Sequence, residues 1–241
     1  MLARLTSPFK EFGWFAGLLY SVDRILQRLS PNLRLYFYEI LVQPIPEVPL
    51  LTGNLAKAFE TRELHRGDPE IALMPARPDI KESRFEQGAV SLGTFKRNEF
   101  VGHIWFCFDS YEEDEVRCTF VLPKDNQSVF DFDLYVFPQY RMGLGFLGVW
   151  NGACEFLRKR GVKVSFSRLT RVNIASRTAH QKLGTRIVGQ VFVLRLFSWE
   201  LFASTIAPFL YLSTGPDKRV RLKLKTQAPQ PRALTEQAAA F

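Results

Sequence analysis

The sequence predicts a mixed α/β domain whose central sheet is mainly antiparallel and flanked by helices, and three observations predict it. Residues 89–122 contain three apolar runs separated by charged turns, the pattern of consecutive antiparallel strands. From Val129 onward the pattern changes to strand, helix, strand, helix and strand, which adds a βαβα unit to that meander. With 241 residues, 46% hydrophobic and 23% charged, the chain has enough apolar material for one full core with modest extensions.

Within residues 9–29, Phe12, Phe15, Leu18, Leu19, Val22, Ile25, Leu26 and Leu29 recur at spacings of three and four. They define an amphipathic helix that ends near Ser30-Pro31. Two readings stay open for it. It is a helix docking on the core, or an in-plane membrane anchor, since Trp14, Phe15 and Tyr20 sit beside Arg24 and Arg28. Residues 33–45 are β-branched and aromatic enough for a strand, terminated by Pro44, Pro46 and Pro49. Up to Gly88 a short helical pattern at 55–64 precedes a Pro-rich loop containing Pro69, Pro75 and Pro78. The meander strands fall at 89–95, 99–108 and 116–122. They are followed by a strand at 129–137, a helix at 144–159, a strand at 162–169, a helix at 174–183 and a strand at 187–197.

The alternation of Arg219, Arg221, Lys223 and Lys225 with Val220, Leu222 and Leu224 places four cations on one face of a strand, either a solvated edge guarded against aggregation or a contact for nucleic acid or lipid. The expected organisation is an N-terminal helical extension (1–32), the sheet domain (33–225) and a disordered Pro-, Gln- and Ala-bearing tail (226–241).

Composition narrows the function classes. Cys107, Cys118 and Cys154 are odd in number, widely spaced and embedded in apolar runs, which argues against a disulfide framework and against clustered zinc ligands. His65 and His103 lack partner spacing, so no metal site is expected. No apolar run is long enough to span a bilayer, and no apolar run followed by a small-residue cleavage pattern opens the sequence. The expectation is a cytoplasmic protein with reduced thiols. A net charge of +8 suits an anionic partner without choosing one; nucleic acid, supported by charge alone, is not expected.

The segment Asp133-Leu134-Tyr135-Val136-Phe137-Pro138-Gln139-Tyr140-Arg141-Met142-Gly143-Leu144-Gly145 runs from an apolar strand through a turn into an amphipathic helix. A helix N-terminus offers unpaired backbone N–H groups and a favourable dipole to an anion. Gly143 and Gly145 let a pyrophosphate approach, and Arg141 adds charge; a plain tight turn explains the same glycines.

This run resembles the signature of the GNAT superfamily of N-acetyltransferases, an apolar strand, Val-x-Pro-x-Tyr-Arg, then Gly-x-Gly-x-Gly or Ala. A second segment, Asn173-x-x-Ser176-x-x-Ala179-His180-x-x-Leu183-Gly184, is similar to the family's cofactor-closing helix, Asn-x-x-(Ala or Ser)-x-x-x-Tyr-x-x-x-Gly. The two lie in the family's order, separated by a helix and a strand, and the resemblance is closest over residues 85–197. It departs twice: the loop is one residue short, so Arg141 and both glycines do not all take the family's places, and His180 replaces the tyrosine.

The resemblance implies a GNAT-like fold and transfer of an acetyl or other acyl group from acetyl-CoA or another acyl-CoA to a small-molecule amine or hydroxyl acceptor. It implies cofactor binding by Val136, Arg141, Met142, Gly143, Leu144, Gly145, Asn173 and Ser176, with His180 as the acid that protonates the leaving thiolate. Asp133 is the candidate general base. Asp131, two residues away on the same strand and expected on the same face, and Glu115 are the other carboxylates considered. The family's bases lie on the opposite face, which Phe130 and Phe132 occupy in this sequence. These rings, with Trp105 and Phe106, either line an apolar acceptor site or belong to the core. A second class of function remains: a GNAT-fold binding protein without turnover, peripheral to a membrane through its first helix.

Overall fold

The computed structural model of the chain describes Phe9 and residues 12–226, which divide into two compact units. The first contains the described residues up to Gln43, with Glu112–Val121 and Ser167–Lys225; the second contains Pro44–Tyr111 and Leu122–Phe166. Apart from Thr226, the expected tail lies outside the described residues, as do residues 1–8, 10 and 11 of the expected N-terminal extension.

In chain order the helices are α1 (Trp14–Leu29), α2 (Gly53–Lys57), α3 (Pro69–Leu73), α4 (Pro78–Glu86), α5 (Gly145–Lys159) and α6 (Ile174–Lys182). The strands are β1 (Leu33–Pro44), β2 (Glu60–Leu64), β3 (Val90–Lys96), β4 (Glu99–Cys107), β5 (Ser110–Glu112), β6 (Cys118–Val121) and β7 (Ser128–Val136). They continue as β8 (Val164–Thr170), β9 (Arg186–Leu196), β10 (Trp199–Ser204), β11 (Leu210–Ser213) and β12 (Val220–Lys223). The fold is mixed α/β with mainly antiparallel strand pairing and flanking helices, the class the sequence pattern predicts.

In the first unit β11, β10, β9 and β1 lie side by side in that order, antiparallel throughout. Their inner residues include Tyr38, Ile40, Val193 and Phe202. Buried carboxylates are paired there: Glu200 accepts from the Arg117 backbone N–H at 2.7 Å and from Arg195 Nε at 2.8 Å, and Glu113 accepts from Arg168. The cation-bearing strand is β12, with Val220 and Leu222 buried and Arg221 and Lys223 exposed.

In the second unit the order is β8, β7, β4, β3, β2, with β7 and β8 parallel and the other pairs antiparallel. Helix α5 packs on β2, β3, β4 and β7, burying Leu147, Trp150, Cys154 and Leu157. Its glycines let it come close: a Cβ on Gly152 would lie 1.9 Å from Thr61 Oγ1. All three cysteines are buried thiols.

Three sequence expectations are corrected. The helical pattern at 55–64 ends at Lys57 and becomes β2, because Thr61 and Leu64 pair with β3 and strand pairing overrides local periodicity. The Pro-rich loop holds α3 and α4: Pro69 and Pro78 stand in the first turns, where a helix needs no proline N–H. The third meander strand does not continue the antiparallel run, since β6 pairs with β12 in parallel.

Candidate active site

The segment singled out by the sequence starts on β7. Its parallel ladder with β8 runs from Ser128 opposite Val164 to Phe130 opposite Phe166. On its other side β7 pairs with β4 to the end, but the register shifts: Trp105 faces Phe132 while His103 faces Tyr135, so β7 carries one residue more than β4 between those pairs. The extra residue makes a β-bulge with Asp133 in the left-handed region at φ 48. Asp tolerates that conformation better than most residues, and a bulge re-aims the side chain it carries.

The re-aiming has a chemical result. Asp131 and Asp133, expected on one face, point to opposite sides. Asp131 is buried and accepts a hydrogen bond from the Ser165 hydroxyl. Burial pushes its carboxyl up to about 7, against the lowering effect of that hydrogen bond. Asp133 lies instead on the face of Phe130 and Phe132. Tyr111 stacks on both rings at 5.0 and 4.1 Å, and the Arg84 guanidinium lies 5.4 Å over Trp105 and 5.3 Å over Phe132 while bonding the Asp133 carboxylate.

His103 is fully buried behind this group, its Nε2 3.6 Å from Asp133 Oδ2, with Tyr135 stacked on the ring at 5.6 Å. Burial of Asp133 works to raise its pKa, but His103 and Arg84 outweigh it and the net shift is downward. Asp133 is therefore ionised at neutral pH. Its side chain keeps 28% of its surface open, so the charge faces outward from an aromatic wall.

Past Val136 a short 3₁₀ turn, Pro138–Tyr140, leads to α5. Arg141 Nε donates to Val136 O at 2.8 Å and Tyr140 Oη to Glu99 Oε2 at 2.5 Å, which fasten the turn at both ends. Gly145 is confined: a Cβ would lie 2.4 Å from Tyr140 O and 3.0 Å from Val136 Cγ1. Gly143 has φ 151 with open space around it, and Met142 is 96% exposed. The N-cap of α5 is Leu144, and no side-chain cap hydrogen bond closes the start of the helix.

The second sequence segment lies in the first unit. Asn173 is the N-cap of α6, its Oδ1 accepting from Ser176 N at 3.2 Å. His180, in the last turn, is buried with Nδ1 2.8 Å from Gln43 Oε1, which also accepts the Thr185 hydroxyl at 3.0 Å. An amide oxygen only accepts, so the ring proton sits on Nδ1. Burial lowers the pKa of His180 to about 4. The residue borders a cavity of about 280 Å³ lined also by Glu39, Arg177 and Arg186. Glu115 belongs to a different cluster, bonded to Arg168 at 2.7 Å and to Tyr38 Oη at 3.1 Å.

Sequence reasoning missed Arg84 and His103. Arg84 lies on α4, within a stretch expected to follow a loop, and His103 has no partner within helical or strand spacing. No sequence signal marks the bulge that brings Asp133 to them. Among the described residues no group of His, Cys, Asp and Glu suited to a metal ion occurs.

No family model matches the chain, and no curated protein does. Among solved structures it is similar to a functionally unknown conserved protein from Staphylococcus epidermidis, with 11% identity and a TM-score of 0.46, covering 72% of this chain and 66% of that one. It is also similar to a tandem GNAT protein from the clavulanic acid biosynthesis pathway, with 11% identity and a TM-score of 0.42, covering 64% of this chain and 50% of that one. A third is an aminoglycoside acetyltransferase from an uncultured soil metagenomic sample, with 10% identity and a TM-score of 0.38, covering 53% of this chain and 88% of that one. The chain thus spans about two thirds of the first and half of the second.

Proposed function

We propose that the chain is a GNAT-type acyltransferase that takes an acyl group from acetyl-CoA or another acyl-CoA and passes it to a small amine or hydroxyl acceptor. The observation that carries this reading is the N-terminus of α5, free of any side-chain cap and entered from β7 through the Pro138–Gly145 turn, which resembles the family's signature with one residue fewer. Backbone N–H groups there, from Met142 to Gly145, are the donors for a pyrophosphate, and Arg141 adds positive charge. The residues fit such a group: Gly143 and Met142 leave the turn open, and no acidic residue stands in the first turn of the helix.

A bound acyl-CoA supplies the thioester whose carbonyl the acceptor attacks. In the proposal the backbone of β7 through Val136 holds the donor arm in line for that attack, the positioning that accounts for much of such an acceleration. Asp133, ionised, accepts a hydrogen bond from the incoming amine and orients it against the aromatic wall. As a carboxylate of lowered pKa it is a weak base, acting on an amine already neutral or through a water. Asn173, Ser176 and His180 enter on the resemblance alone. His180 is neutral at pH 7, so its part is to hydrogen-bond rather than to carry a proton in.

One observation favours a second reading, a GNAT-fold binding protein without turnover. Asp133 is held ionised by Arg84 and His103, and Asp131, whose carboxyl stands near 7, is sealed inside the unit. Thiol release from acetyl-CoA, followed with a disulfide reagent against a panel of amines, amino sugars and alcohols, separates the two. Release that requires both donor and one acceptor class supports the enzyme; acyl-CoA that binds yet never releases thiol with any acceptor assigns the chain to the second reading.

A further inference from the structure

Helix α1 is mounted inside out. An amphipathic helix on a core turns its apolar stripe inward, but here Trp14, Leu18, Val22, Ile25 and Leu29, at spacings of four, four, three and four, are all exposed, Trp14 by 69% and Leu29 by 72%. The side facing β1 is anchored by polar contacts: Asp23 accepts from the Leu35 backbone N–H at 2.9 Å and from Arg34 Nε at 3.2 Å. Packing there includes buried Ala16 and Gly17, half-buried Leu19, and Phe15 edge-on to Phe37 at 5.5 Å. A cavity of about 350 Å³ lies between α1 and β1, bordered by Leu19, Asp23, Gln27 and Tyr36.

The sheet in the same unit repeats the inversion. In β10 the charged Glu200 and Phe202 are buried, whereas Trp199 and Leu201 face out. The ladder fixes which face this is: Leu35 is opposite Leu194, Leu194 opposite Leu201 and Leu201 opposite Leu212. The apolar row therefore starts on the β1 face that α1 covers and runs outward to exposed Leu201 and Leu212, with Phe209, 67% exposed, in the loop before β11.

Charge selects the occupant. Asp23 is the acidic residue of α1 and is already paired with Arg34, which leaves exposed Arg24 and Arg28 beside the stripe. The outward residues of β10 and β11 carry no charge at all. A second copy offering the same face would bring only further arginines to Arg24 and Arg28. An apolar stripe with exposed tryptophans, flanked by arginines on a chain of net charge +8, matches the surface of an anionic bilayer. Among the described residues no helix is long and apolar enough to cross a membrane, so the contact is with the surface. We propose that this face of the first unit, formed by α1 and the outer side of β10 and β11, docks the protein on an anionic lipid surface. The proposal is independent of the acyl-CoA reading.

The test is co-sedimentation of the full chain with vesicles of phosphatidylcholine alone or with about one third phosphatidylserine, in parallel with sedimentation velocity without lipid. Partition onto the anionic vesicles is expected to exceed that onto neutral ones by at least about tenfold. Arg24→Gln with Arg28→Gln should lower it about thirtyfold, the value of two cations near an anionic surface. Leu18→Glu with Ile25→Glu, and separately Leu201→Glu with Leu212→Glu, should each abolish it with an unchanged melting temperature. If one pair fails to fold, the other decides. Equal partition onto both vesicles, no partition, or variants that sediment like the parent would overturn the proposal. So would a lipid-free dimer that the glutamate variants dissociate, which assigns the face to a second copy.

Discussion

Asp131 makes a prediction whose size can be worked out. The residue faces the interior of the second unit, opposite Phe106 in the ladder, with its carboxyl pushed by burial from the ordinary 3.8 to about 7. Below about pH 4 the group is protonated in both folded and unfolded chains and its contribution to stability is complete. Between about pH 4 and 7 the unfolded chain releases the proton while the folded chain keeps it. Stability then falls as pH rises, by about 1.4 kcal/mol per pH unit and about 4 kcal/mol in all. Above the folded pKa both forms are ionised and the loss is constant. Asp131→Asn keeps an oxygen for the Ser165 hydroxyl and removes the titration. The assay is urea unfolding across this range, followed by tryptophan fluorescence, since Trp105 and Trp150 are buried in the same unit. The stability of Asp131→Asn relative to the parent should rise by about 4 kcal/mol from pH 4 to pH 8, slopes from all other groups cancelling. A difference that stays constant with pH refutes a buried protonated carboxyl at this position.

Two further substitutions probe the frame. A Cβ on Gly102 would lie 2.3 Å from the Tyr135 carbonyl oxygen and 3.1 Å from Val136 Cα, backbone that cannot yield, so Gly102→Ala should cost about 3 kcal/mol. The melting temperature should fall on the order of 10 °C; an unchanged melt would mean the bulge is not packed as described. Arg168→Met strips the buried Glu113 of its cation and should destabilise the chain by about 3–5 kcal/mol, with most of that recovered in Arg168→Met/Glu113→Gln. A double variant no better than the single one counts against the pairing.

Much of the fold was legible because its long elements carry strong periodicity. The extents of β1, α5 and the strand after α6 follow from β-branched runs and a helical stripe, with Pro44 ending β1 and Gly161 following α5. The proline-initiated helices α3 and α4 were not legible, because proline marks a helix start and a loop equally well. The turn before α5 was readable from its glycines, although Gly145 proves to be required by its contact with Tyr140 as much as by any ligand. The cluster around Asp133 was hidden for a topological reason. Arg84, His103 and Asp133 come from three separate elements, and the bulge that joins them changes which face a residue occupies without leaving a glycine to announce it. For α1 the sequence left two readings open, docking on the core or lying outward, since a periodic stripe does not say which way it faces.

The measurement that tests the central claim most directly is isothermal titration of the chain with acetyl-CoA and with free CoA, beside Met142→Glu. Met142 is 96% exposed, so the substitution places a negative charge at the turn without disturbing packing. Saturable binding of one ligand per chain is expected, weakened about tenfold in Met142→Glu at low salt with an unchanged melting temperature. No binding of either ligand, or binding that Met142→Glu leaves untouched, would contradict an acyl-CoA site at the turn between β7 and α5.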